Sequence, residues 1–193
     1  MRRACDIEYV NELLPDYIGF IFAEKSRRYV PPAEAAKLKE QLDPRIKAVG
    51  VFVDAPMDKI VTVVEQRIID AVQLHGSEDD GYIRKLQGRT DCPILKAFIV
   101  RGVGDVRAAE QSPADYVLLD GGEGSGRPFD WSQIKNITRP YFLAGGLTPE
   151  NAADAVSALH PYALDVSSGI ETDGKKDPAK MKAFVETIRN MKG

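Results

Sequence analysis

Short apolar runs recur along the chain at nearly regular intervals, each followed by a longer amphipathic stretch. They are DYIGFIF from Asp16, IKAVGVFV from Ile46, AVQLHG from Ala71, ILKAFIV from Ile94, YVLLD from Tyr116, YFLAGG from Tyr141 and ALDVSSG from Ala163. Runs this short and this rich in β-branched and aromatic residues predict strands, and their near-continuous hydrophobicity predicts a parallel sheet buried on both faces. No side-chain motif repeats from one run to the next, which sets the series apart from a solenoid of repeats.

The stretches between the runs carry helix-start signals. VPPAEAAKLKEQL puts prolines at the first helical positions, LTPENAADAVSAL offers Thr148 as N-cap with Pro149 behind it, and DPAKMKAFVETIRNM does the same with Asp177 and Pro178. CDIEYVNELL, ahead of the first strand, is also helical in pattern, with Ile7, Val10, Leu13 and Leu14 on one face. The tally is seven strands and eight helices. A closed (β/α)8 TIM barrel that lacks its first strand produces that imbalance. A doubly wound open sheet is the competing fold, but it gathers its functional groups at one switch point. Here nearly every strand ends in polar, glycine-rich or ionisable residues, which favours the barrel, as a single domain over residues 1–193.

Composition narrows the partners. The 193 residues are 44% hydrophobic and 28% charged with a net charge of -3, an ordinary globular balance with no broad basic surface for nucleic acid or anionic membrane. A small molecule is the expected partner. No apolar run approaches the roughly 20 residues that span a bilayer. Arg2 and Arg3 are followed by Asp6 and Glu8 in place of a signal-peptide apolar region. Cys5 and Cys92 form no metal or redox pattern, so a reducing, cytoplasmic setting without a metal is expected.

The candidate chemistry lies at strand ends. The turns after the last two runs, with Gly145, Gly146, Ser167, Ser168 and Gly169, sit where barrels bind phosphate, on backbone N–H groups that glycine leaves accessible. Asp120 ends its strand before the loop GGEGSGRPFDW; it is either a general acid at the rim of an apolar core or a cap for the next turn. Asp165, between Leu164 and Val166 in a strand, faces a polar pocket because a strand core cannot bury an unpaired charge. In EKSRRYV two arginines stand where a carboxylate or phosphate could be gripped bidentately, or else form a solvated basic loop. Gln73 and His75 alternate and share a face, whereas His160 follows a helix as an exposed loop residue.

Taken together, DYIGFIFAEKSRRYV, KAVGVFV, VQLHG, LLDGGEGSGRPFDW, LAGGLTPENA and DVSSGIE with GKKD behind it resemble the phosphoribosylanthranilate isomerases over essentially the whole chain. The resemblance implies a (β/α)8 barrel without metal or organic cofactor that carries out an Amadori rearrangement in tryptophan biosynthesis. It implies Asp120 as general acid, Arg28 on the anthranilate carboxylate, and Gly145, Gly146, Ser168 and Gly169 on the phosphate. Asp165, Gln73 and His75 would line the pocket, and the protein would be a monomer or homodimer.

One departure accompanies the match. The family's general base is a cysteine in a Lys-Ile-Cys-Gly or Lys-Val-Cys-Gly motif at the end of the first strand, and that motif is expected ahead of Met1. Cys5 is not its equivalent, since it reads as a residue at the start of a helix. The leading expectation is an isomerase; the alternatives are a remnant that binds phosphorylated ligands without turnover, and another phosphate-binding barrel enzyme, an epimerase or synthase. SRRY and VQLHG give no support to the last.

Overall fold

The computed structural model describes residues 1–122, 131–134 and 137–191. The first helix, α1 (Ala4–Leu13), starts on a buried carboxylate. Asp6 Oδ2 accepts the amides of Arg2 at 3.0 Å and Arg3 at 3.1 Å, and Oδ1 accepts Arg3 Nε at 2.8 Å. Donors from Arg2 and Arg3, just ahead of the helix, make up for the water Asp6 has lost. Ile7 and Val10 of this helix are buried as its period predicts, while Leu13 is only partly covered and Leu14 leaves the helix in a left-handed conformation.

All seven apolar runs form strands: β1 (Tyr17–Ile21), β2 (Lys47–Phe52), β3 (Ala71–Leu74), β4 (Ile94–Ile99), β5 (Tyr116–Asp120), β6 (Tyr141–Ala144) and β7 (Ala163–Leu164). They make one sheet in chain order, β1 to β7, with parallel pairing. The order contains no reversal, so the doubly wound alternative is set aside: that fold requires a point where strand order turns back. Between the strands lie α2 (Pro32–Glu40), α3 (Met57–Glu65), α4 (Asp80–Gln87), α5 (Val103–Gln111) and α6 (Ala152–Leu159), and α7 (Pro178–Asn190) closes the series.

By contact density the chain divides into two compact units, residues 1–96 with 113–115, and residues 97–112 with 116–193. The core of the first is built on Phe20, Ile46, Ile60, Leu74, Ile83, Leu86 and Ile94, all essentially inaccessible. That of the second is built on Leu118, Leu119 and Leu143 of the strands, with Ala109, Ala152 and Phe184 from the helices. Burying such side chains is worth about 1.5–3 kcal/mol each for the large aliphatic and aromatic ones, and this drives the helices onto the sheet.

Seven of the eight expected helices lie among the described residues, which between β5 and β6 hold a 3-10 turn, Trp131–Gln133. Two expectations need correction. Helix α6 begins three residues later than Thr148 suggests: Asn151 Oδ1 accepts the Thr148 amide at 2.8 Å, and 148–151 form a separate turn. The Thr148 hydroxyl serves the Glu150 carboxylate, not the helix amides. Finally, β7 stops at Leu164, so Asp165 follows the strand instead of lying within it.

The other two caps behave as read. Pro32 is the first residue of α2, and Asp177 Oδ1 accepts the amides of Ala179 at 2.9 Å and Lys180 at 3.2 Å at the start of α7. A short antiparallel pair, β8 (Glu171–Thr172) with β9 (Lys175–Lys176), was not foreseen. Among the described residues no helix is long and apolar enough to cross a membrane.

Candidate active site

In the first unit the loop after β1 is tied back to its strand. Val30 N donates to Ile21 O at 2.9 Å, Tyr29 N to Ser26 O at 3.0 Å, and Arg28 N to the Ser26 hydroxyl at 3.1 Å. Arg28 is thereby held half-buried in a fixed turn, while Arg27 beside it is exposed. At the end of β3, Gln73 is buried, and its Nε2 lies 3.0 Å from His75 Nδ1. The two polar groups are within hydrogen-bond distance, with the donor and acceptor roles set by the imidazole tautomer. The alternation expected of Gln73 and His75 is therefore realised as direct contact.

In the second unit Asp120 ends β5 half-buried, and its Oδ1 accepts the Gly122 amide at 2.9 Å. The turn after β6 presses against it. A β-carbon on Gly145 would stand 2.4 Å from Gly121 N and 2.8 Å from Asp120 Oδ1, and Gly145 has φ of +94°. Glycine is required twice over, by conformation and by approach. Asp165 continues the ladder beyond β7, its amide donating to Leu143 O at 2.8 Å. Ser167 and the exposed Ser168 follow, then Gly169, where an added β-carbon would meet Leu147 O at 1.8 Å. Asp120 and the Gly145–Gly146 turn are thus adjacent, as are Leu147, one residue past that turn, and Gly169 of the turn after β7.

Sequence reading overlooked Lys176, whose Nζ donates to Ser167 O at 2.8 Å and pairs with Glu171 at 3.2 Å. Both of those side chains are nearly inaccessible, so the β8–β9 hairpin acts as a strut behind the Ser167 turn. It also overlooked Glu78 and Lys96; the one available signal was a lysine inside the apolar strand ILKAFI. Of the remaining candidates, Cys5 lies in the first turn of α1 and His160 is an exposed, left-handed residue closing α6. The stretch Glu123–Asp130 of the loop after Asp120 lies outside the described residues. Among the described residues no group of three His, Cys, Asp or Glu side chains is arranged to hold a metal ion.

The family profile for N-(5'-phosphoribosyl)anthranilate isomerase matches residues 1–187. The chain belongs to the phosphoribosylanthranilate isomerase family. An isomerase of this name from Endomicrobium trichonymphae is 41% identical over 196 residues, covering 99% of this chain and 96% of the relative. The crystal structure of a phosphoribosylanthranilate isomerase in complex with reduced 1-(o-carboxyphenylamino)-1-deoxyribulose 5-phosphate aligns with a TM-score of 0.88 and 35% identity, over 98% of this chain and 95% of that one. Monomers generated from the dimeric phosphoribosylanthranilate isomerase of Thermotoga maritima align with a TM-score of 0.87 and 36% identity, over 98% and 95%. The phosphoribosylanthranilate isomerase family is therefore matched in sequence and in backbone along nearly the full length of the chain.

Proposed function

We propose that this protein isomerises N-(5'-phosphoribosyl)anthranilate to 1-(2-carboxyphenylamino)-1-deoxyribulose 5-phosphate, an Amadori step of tryptophan biosynthesis. The observation that carries this reading is the match to the family along the whole chain, including a relative solved with the reduced product. The reading takes residues 1–193 as a single catalytic domain and the seven parallel strands as seven of the eight in a (β/α)8 barrel. Sequential strand order and the helix α1 ahead of β1 support the barrel.

The roles follow the chemistry. Asp120 protonates the furanose ring oxygen as the C1'–O bond breaks and a Schiff base forms with the anthranilate nitrogen. Loss of the C2' proton to a general base then gives the enolamine, which tautomerises to the ketone. This reading gives the base role to neither cysteine, since Cys5 lies in α1 and Cys92 precedes β4. Arg28 grips the anthranilate carboxylate, and its fixed turn supports that assignment. Gly145, Gly146, Ser167, Ser168 and Gly169 hold the phosphate through backbone N–H groups and hydroxyls; the close approach at Gly145 and Gly169 and the Lys176 strut support it. Gln73, His75 and Asp165 line the pocket. The reading needs no cofactor, and it includes a cytoplasmic setting and a homodimeric assembly like that described for the Thermotoga maritima relative.

The test is conversion of phosphoribosylanthranilate, followed by loss of anthranilate fluorescence, together with binding of the reduced product. Turnover supports the reading. Tight binding without turnover replaces the isomerase with a binding protein, and the absence of both binding and turnover overturns the reading altogether.

A further inference from the structure

The first unit contains a buried charged knot that the chemistry above does not use. Lys96, in the middle of β4, sits in register with Leu74 of β3, yet its Nζ reaches past that strand's end to Gly76 O at 2.6 Å and Glu78 Oε2 at 2.9 Å. The two side chains are only 6% and 2% accessible. Glu78 in turn accepts the Gly76 amide on Oε2 at 2.9 Å and the Asp54 amide on Oε1 at 2.7 Å. Asp54, in the loop after β2 with φ of +48°, returns its carboxylate to the Ser77 amide and hydroxyl, each at 2.7 Å. These Ser77 hydrogen bonds hold the Asp54 carboxyl below its ordinary pKa. A β-carbon on Gly76 would lie 2.5 Å from that carboxylate, so the two loops are in direct contact.

A buried ion pair is a poor source of stability, because its desolvation offsets most of its attraction. What this one does is specify geometry: a single carboxylate gathers an ammonium from β4 and backbone amides from the loops after β2 and β3. The turn it grips begins at His75, whose own amide donates to Phe52 O at 2.8 Å and whose ring meets Gln73. We propose that Glu78 and Lys96 are positioning residues for the reaction, locking the His75–Gly76 turn so that Gln73 and His75 meet the substrate already oriented. This rests on the isomerase reading for its kinetic consequence but not for its structural one.

The experiment compares wild type with Glu78→Gln and with the double variant Lys96→Met/Glu78→Leu, which replaces the pair by apolar groups of similar size. Amide exchange at Asp54 and Gly76 is expected to accelerate at least tenfold in the folded variants, while amides of β5 and β6 keep their wild-type rates. KM is expected to rise about tenfold, with kcat changing less than threefold, a split that a general loss of folded protein does not produce. Should the double variant fail to fold, the isosteric Glu78→Gln carries the test. Unchanged exchange at both amides, or unchanged KM in a folded variant of an active enzyme, overturns the proposal. A wild type without turnover counts against the isomerase reading, and the exchange arm then decides the positioning claim alone.

Discussion

Asp120 and Gly145 are locked together across β5 and β6: the carboxylate oxygen that accepts the Gly122 amide at 2.9 Å stands 2.8 Å from where a β-carbon on Gly145 would be. Gly145→Ala would therefore collide with Asp120 and with Gly121 N while being held at a φ of +94°. The expected cost is on the order of 2–3 kcal/mol, the range for strain at a special backbone position. Urea denaturation would register it as a lowered midpoint at unchanged slope. If Asp120 is the general acid, turnover of the folded fraction should fall as well.

Asp120→Asn tests the acid directly. The amide preserves the size of the side chain and its oxygen for the Gly122 amide but has no acidic proton to deliver. If Asp120 is the general acid, kcat should fall by about 10²–10⁴-fold, the usual contribution of such a group. KM and melting temperature should stay close to wild type. Retention of more than a tenth of kcat would remove Asp120 from the mechanism.

Arg28→Ala separates substrate recognition from chemistry. A charge-assisted hydrogen bond to a carboxylate is worth roughly 1.5–3 kcal/mol, so KM should rise by about 10- to 100-fold while inorganic phosphate inhibits as before. Arg27→Ala, at the exposed neighbour, is the internal control and should change neither constant. Equal effects at the two positions would mean that the loop carries only diffuse charge.

The buried groups of both units make the fold sensitive to alkali. Burial, aided by Asp70, pushes the Cys92 thiol up from 9.0 to about 11, and burial pushes Tyr141 up from 10.0 to about 12. Between the unfolded and folded values the folded state binds more protons, so stability falls as pH rises. The contribution of Cys92 should be intact below about pH 9 and lost by about pH 11, and that of Tyr141 lost between about pH 10 and 12. Denaturation midpoints across pH 8–12 should decline in this window, and Cys92→Ala should remove the earlier part. Alkylation of Cys92 in the native protein at pH 8 should be slow compared with the unfolded chain.

The sequence by itself determined whatever depends on neighbours along the chain. Seven strands were legible because each is a compact apolar run, and the starts of α2 and α7 because Pro32, Asp177 and Pro178 act within one helical turn. The glycine-rich turns were legible because glycine announces the positive φ and close backbone approach found at Gly145 and the close approach at Gly169. Tertiary structure decided what depends on partners far away in the chain. It shortened β7 to two residues, and it gave the Thr148 turn to Asn151 and Glu150 in place of a helix cap. It also joined Lys96 to Glu78 across eighteen residues of chain and Asp54 to Glu78 across twenty-four. Local propensity is summed over a few adjacent residues, whereas a buried charge is acceptable only where distant groups arrive to satisfy it. A lysine inside an apolar strand therefore marks an unfilled requirement, and only the folded chain names the residue that meets it.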